Sequence, residues 1–190
     1  MENKPILIID NYDSFTYNLV HQVAKLGHKY TVWRNDQFTL DDVEDFDQII
    51  LSPGPGIPSE AGLLLPVIKR FSTSKKILGV CLGHQAIAET FGGTLYNLDA
   101  PLHGISRTLS VTQPDLLFAG IPQKFDVGHY HSWAVADEGL PDELEITARD
   151  DKEMIMALRH RTLKVRGVQF HPESVLTQYG LDMIRNWIYG

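Results

Sequence analysis

Three short apolar runs constrain what this chain can fold into. Residues 6–9, 48–51 and 76–80 are mainly apolar, four or five residues long, and each runs directly into turn-forming residues. Apolar residues at consecutive positions suit parallel strands covered on both faces. Helical spacing fills the gaps between them. Phe15, Leu19, Val20, Val23 and Ala24 fall on one stripe, with Asp13 or Ser14 as N-cap and Gly27 as the stop. Leu64, Ile68 and Phe71 make a second stripe. His84, Ile87, Ala88 and Phe91 make a third, closed by Gly92 and Gly93. Residues 30–34 read as one more strand. The pattern predicts an α/β fold: a doubly wound, mostly parallel central sheet flanked by helices, with its ligand site at the C-terminal strand ends.

From about Thr94 to Phe170 the chain changes character. Short segments broken by Pro, Asp and Gly replace helical periodicity. Residues 106–112, 125–129, 144–148, 154–159 and 165–170 read as strands, partly antiparallel, that supply a smaller antiparallel sheet. A last amphipathic helix is expected over about 178–189, with Leu181, Ile184 and Ile188 on its core face. With 190 residues and no repeat or linker, 1–190 reads as one domain.

Composition narrows the function classes. Seventeen Lys and Arg against twenty-four Asp and Glu give a net charge of −7, the reverse of a nucleic-acid binder. The apolar runs fall far short of the roughly 18 residues of a membrane span. Met1-Glu2-Asn3-Lys4-Pro5 leads straight into a strand-like run and reads as carrying no signal peptide. A single cysteine excludes an internal disulfide and an all-cysteine metal site. The expectation is a cytoplasmic protein with no metal site, whose one thiol demands an explanation.

That thiol sits in Gly79-Val80-Cys81-Leu82-Gly83, after an apolar run and before a helical stripe. This is the cysteine form of a nucleophile elbow: a sharp turn exposes the nucleophile, and glycines on either side leave room for it. The start of the following helix favours a thiolate, the reactive form. The plain alternative, a small buried hydrophobe, does not account for the glycine bracket. A thiol nucleophile needs a base, and the base needs an orienting partner. Of eight histidines, His21 and His28 read as surface residues, His84 as packing and His160 as a solvated strand end. His171 ends a strand and is followed by Pro172 and Glu173. In an extended segment residues i and i+2 face the same way, so Glu173 is expected to reach the imidazole.

The loop Ser52-Pro53-Gly54-Pro55-Gly56 joins two stiffening prolines to two glycines that let a backbone approach a ligand. Attack on an acyl carbon places charge on oxygen. The N–H groups of Leu82 and Gly54 are the expected donors to it.

Ser-Pro-Gly-Pro-Gly, then Gly-Val-Cys-Leu-Gly-His-Gln, then Gln-Phe-His-Pro-Glu-Ser stand in one order, and together they resemble the class I (triad) glutamine amidotransferase family over essentially the whole chain. Residues 9–18 (Ile-Asp-Asn-Tyr-Asp-Ser-Phe-Thr-Tyr-Asn), Tyr130-His131-Ser132 and residues 172–177 point to the branch serving chorismate-using synthases. The resemblance implies a hydrolase that takes ammonia from L-glutamine and passes it to a synthase subunit, that of anthranilate synthase or of aminodeoxychorismate synthase, within a hetero-oligomer. It implies Cys81 as nucleophile, His171 as general base and acid, and Glu173 as orienter. Gly54, Pro55 and Gly56 resemble the loop meeting the substrate; Gln85, Ser132 and Trp133 resemble the groups holding its amino-acid end. It implies no cofactor on this chain and Mg2+ on the synthase partner. One departure is Ile105 after His103-Gly104, where these subunits usually carry lysine.

Two readings from other classes fit the residues less well. An inactive regulatory or redox-sensing module would use the thiol alone and leave His171 and Glu173 without purpose. A receiver-like phospho-acceptor is suggested by Asp10 and Asp13, but Ser52 and Cys81 stand where its acceptor aspartate belongs.

Overall fold

The computed structural model describes residues 4–190; Met1 to Asn3, part of the segment read for a signal peptide, lie outside the described residues. The first half alternates as its apolar runs predict: β1 (Ile6–Asp10), α1 (Thr16–Lys25), β2 (Tyr30–Arg34), β3 (Gln48–Leu51), α2 (Leu64–Phe71), β4 (Lys76–Val80) and α3 (Leu82–Thr90). The second half supplies β5 (Leu95–Val111), β6 (Lys124–Val135), β7 (Leu144–Asp150), β8 (Ile155–His160), β9 (Val165–Val168) and α4 (Gly180–Tyr189).

All nine strands form one sheet in the order β2-β1-β3-β4-β9-β8-β7-β5-β6. Ladders from β2 to β9 are parallel; those from β9 to β6 are antiparallel. The α/β architecture holds, and the antiparallel strands extend the central sheet instead of closing a second one. They can do so because β9 has parallel β4 on one edge and antiparallel β8 on the other.

Alternation along each strand divides the core. Ile6, Ile8, Ile50, Leu78 and Val80 face α1 and α4, where Leu19, Val20, Val23, Ile184 and Trp187 cover them. Leu7, Ile9, Ile49, Leu51 and Ile77 face α2 and α3. Helix α3 is buried on every side from Leu82 to Ala88, so its stripe understated its burial.

Three local expectations need correction. Neither Asp13 nor Ser14 is the N-cap of α1; Phe15 holds that position, while the Asp13 carboxylate accepts the Phe15 N–H at 2.7 Å one step earlier. Phe15 and Ala24 leave the core stripe: Ala24 is exposed and the half-buried Phe15 ring packs on Tyr130 and His171. On α4, Met183 and Trp187 take the core place expected for Leu181, because the helix starts at Gly180 and its buried face is set from there. Gly27 does end α1, with φ +75°.

Candidate functional site

The C-terminal ends of β1, β3, β4 and β9 lie side by side, and each delivers one part of the site. After β4 comes Cys81, 4 % exposed, with φ +53° and ψ −101°. A non-glycine residue adopts such a backbone only where its surroundings enforce it. Here Gly79 lies against Gly83, and Gly83 lies against the Leu51 carbonyl: a Cβ at Gly79 would stand 2.4 Å from the Gly83 carbonyl carbon, and one at Gly83 would stand 2.5 Å from that oxygen. The bracketing glycines let α3 begin directly against β3 and β4.

After β3 comes the loop 52–56. Ser52 Oγ accepts the Asn11 N–H at 2.9 Å, and Asn11 Nδ2 donates to the Ser52 carbonyl at 2.8 Å. Asn35 in turn donates to Asn11 Oδ1. The polar residues that follow β1 therefore anchor the loop. Asp10, the one-time phospho-acceptor candidate, is buried and accepts the Thr16 hydroxyl at 2.8 Å, a structural use. Gly54 is wedged between Asn11 and the Leu82 side chain. Among the described residues neither the Gly54 nor the Leu82 N–H has a hydrogen-bond acceptor, so both remain available as donors.

After β9 come Gln169, Phe170 and His171. His171 Nδ1 lies 2.7 Å from Glu173 Oε1, both side chains buried. The expected contact is present, but its backbone reason differs. The strand ends at Val168, and 171–174 form a turn closed by the Ser174 N–H on the His171 carbonyl, which folds Glu173 back under the ring. Thr177 Oγ1 donates to the same carbonyl, and the Phe15 and Tyr130 rings flank the imidazole with centroids 5.2 and 5.0 Å away. Nε2 has no formed hydrogen bond; the Cys81 thiol stands beside it. Burial alone would disfavour charge on this ring. Hydrogen bonding and attraction to the Cys81 sulfur and the Glu173 carboxylate outweigh it and raise His171 to about 10.

A cavity of about 200 Å³ opens over the sulfur. Gly54, Pro55, Gly56, Gln85, Ser132 and Trp133 line it with Cys81, joined by Tyr130 and His131. It is smaller than a drug-sized site and suits a single amino acid. His171, Glu173 and Leu82 lie outside its wall. Gln85 Nε2 spends its hydrogens on the Trp133 carbonyl (2.8 Å) and Gln169 Oε1 (3.2 Å), which leaves Oε1 as its offer to a ligand. The Trp133 carbonyl also accepts from His131 Nδ1 at 2.8 Å, so both its lone pairs are used. Among the described residues no three His, Cys, Asp or Glu side chains gather as a metal site.

The family profile described as glutamine amidotransferase class-I matches residues 7–190. The chain belongs to this family. This amidotransferase is 44 % identical over 185 residues to the aminodeoxychorismate/anthranilate synthase component 2 of Bacillus subtilis, covering 96 % of the chain and 95 % of that protein. It is also 44 % identical to the anthranilate synthase component 2 of Pseudomonas aeruginosa over 191 residues, covering 96 % and 94 %. The fold matches a solved glutamine amidotransferase of Thermotoga maritima with a TM-score of 0.73 at 16 % identity, over 99 % of this chain and 82 % of that one.

The amidotransferase site also holds residues that sequence reasoning missed. Gln169, fully buried, donates from Nε2 to Cys81 Sγ at 3.6 Å. Its one sequence signal is its place two residues before His171, just past the end of β9 at Val168. His129 Nδ1 and His131 Nε2 lie 3.1 Å apart. Because the Trp133 carbonyl takes a proton from His131 Nδ1, His131 Nε2 is the acceptor and His129 the donor.

Burial pushes His84 down to about 3 and His129 and His131 down to about 4. These rings stay neutral in the folded amidotransferase while the unfolded chain protonates near 6.5. The unfolded state therefore binds more protons below that pH, and stability falls as pH drops from about 6.5 toward 4. At pH 5 the loss is roughly 2 kcal/mol per ring. His171 acts in the opposite sense: its contribution is complete below about 6.5 and is lost as pH rises through about 10. Guanidinium unfolding midpoints should fall clearly between pH 7.5 and pH 5; equal midpoints would contradict the three neutral rings.

Proposed function

We propose that this amidotransferase is the glutaminase subunit of anthranilate synthase, hydrolysing L-glutamine and delivering ammonia to a chorismate-using synthase subunit in the cytoplasm. The observation that carries the reading is a strained thiol between two free backbone donors and a buried His171–Glu173 pair, at the floor of a cavity sized for one amino acid.

The geometry supports the following chemistry. Glutamine's side-chain amide is a poor electrophile, so the attacking sulfur must be a thiolate. His171, held charged by its neighbours, supplies the proton that lets ammonia leave, and the γ-glutamyl thioester remains on Cys81. His171 then takes a proton from water, which cleaves the thioester to glutamate. The Leu82 and Gly54 N–H groups meet the oxygen that carries charge in both steps. Gln85 Oε1, an acceptor, suits the substrate's ammonium group. The carboxylate is left to backbone donors at 132–133 and in the loop 54–56. No cofactor enters these steps, and the Mg2+ that serves the synthases of this family is assigned to the partner.

The relatives' names support pairing with a chorismate-using synthase. They also support a second reading, because the Bacillus subtilis relative carries both synthase names. In that reading the partner makes aminodeoxychorismate, alone or in addition. Mixing the purified chain with each synthase subunit and measuring glutamine-dependent product separates the two.

Glu173→Ala should reduce glutamine hydrolysis while leaving a measurable rate. Loss of an orienter is milder than loss of a nucleophile by about two orders of magnitude in a related triad. Steady-state glutamate release checks this; losses equal to those of Cys81→Ala would contradict the assigned roles.

A further inference from the structure

We propose that Gln169 is a hydrogen-bond donor to the Cys81 sulfur that favours its charged form, and that Gln85 and the Trp133 carbonyl orient it for that task. The inference deepens the reading of Cys81 as a thiolate nucleophile and rests on it. Three contacts define a chain. The Trp133 carbonyl can only accept, so Gln85 presents its NH2 group there, at 2.8 Å. The second hydrogen of that group goes to Gln169 Oε1 at 3.2 Å. Gln169 must then turn its own NH2 group toward Cys81, with Nε2 3.6 Å from Sγ. Flipping the Gln85 amide would set its oxygen against the Trp133 oxygen. Flipping Gln169 would set nitrogen against nitrogen.

The sheet fixes both ends. Val80 and Val168 are in register, the Cys81 N–H bonds the Val168 carbonyl at 2.8 Å, and the Gln169 N–H bonds the Met156 carbonyl at 2.8 Å. Gln169 is fully buried, so no water competes for the sulfur from that side. A donor aimed at sulfur stabilises its negative charge and does nothing comparable for the thiol. It adds no charge that would oppose the one on His171.

The test uses Gln169→Met, which keeps length and loses the donor, and Gln169→Glu, which still accepts from Gln85 but turns an oxygen toward the sulfur. At pH 7 the rate of Cys81 alkylation by iodoacetamide should fall about tenfold in the Met variant and further in the Glu variant. kcat for glutamine hydrolysis should fall in parallel while KM stays within about twofold of the parent. An unchanged alkylation profile, or lower thermal stability with an unchanged profile, overturns the proposal. If neither variant folds, the parent protein labelled with 15N-glutamine decides: one buried side-chain amide should titrate with Cys81 and stop doing so in Cys81→Ala, and the absence of any responding amide overturns the proposal. Alkylation needs no glutamine turnover. A protein that shifts its profile as expected yet hydrolyses no glutamine would sink the functional reading and leave this contact standing.

Discussion

Cys81→Ala should abolish glutamine-dependent product formation by the assembled synthase while ammonium-dependent formation continues. The loss of glutamine hydrolysis is expected to exceed about 10⁴-fold, the scale on which removal of a covalent nucleophile acts. Nothing else at the elbow can replace the sulfur. Leu82 offers only its N–H, and His171 is held by Glu173 at 2.7 Å in a position to move protons. The substitution removes a single sulfur atom from a side chain already packed at 4 % exposure, so the fold and the docking surface should persist. Ammonium supplied from solution bypasses the step proposed for Cys81. Both rates are measured on the complex with its synthase subunit, and circular dichroism confirms that the variant is folded. Glutamine-dependent activity above about 1 % of the parent's would remove Cys81 from the mechanism. Cys81→Ser should behave almost as severely, because a hydroxyl at this position ionises far less readily than a thiol.

The parts of this molecule that were legible in the sequence are those where one local rule acts alone. Strands β1, β3 and β4 announce themselves because both of their faces are covered, so their inner positions are almost all apolar and polar residues stand only at their ends. The elbow is legible because only glycine tolerates the approach of Gly79 to Gly83. Strands β5 and β6 are longer than expected, because much of β5 faces outward, lacks an apolar signature, and breaks register around Asn97, Leu102 and His103. Helical spacing assigns Phe15 to the core because it cannot tell a residue facing the sheet from one packed on the His171 imidazole. The His171–Glu173 contact was right for a reason the structure replaces: a turn, set by Ser174 and Thr177, does what an extended segment was expected to do. Gln169 is not legible in the sequence because its contacts depend on Gln85 and Trp133, which are brought to it only by the pairing of β4 with β9 and by the far end of β6.

The elbow glycines yield the second large effect. Gly79→Ala should unfold the protein or lower its melting temperature by about 10 °C or more, a change of roughly 4 kcal/mol for a chain of this size. The Cβ of an alanine at 79 would lie 2.4 Å from both the carbonyl carbon and the oxygen of Gly83 and 2.7 Å from the His84 nitrogen. These are backbone atoms at the first turn of α3, so no rotamer change relieves the overlap. Either β4 or α3 must move, and α3 is buried on all sides between Leu82 and Ala88. Moving α3 also displaces Cys81 from its φ of +53° and the Leu82 side chain from its place against Gly54, so any folded fraction should lack activity. Gly120→Ala is the informative control. Gly120 has φ +73° but nothing within 4 Å of a Cβ, so alanine there meets only the backbone penalty of about 1 kcal/mol. Differential scanning calorimetry of the two variants separates crowding from backbone conformation. Similar losses at both positions would mean that α3 can yield, and the rigidity assigned to the elbow would be wrong.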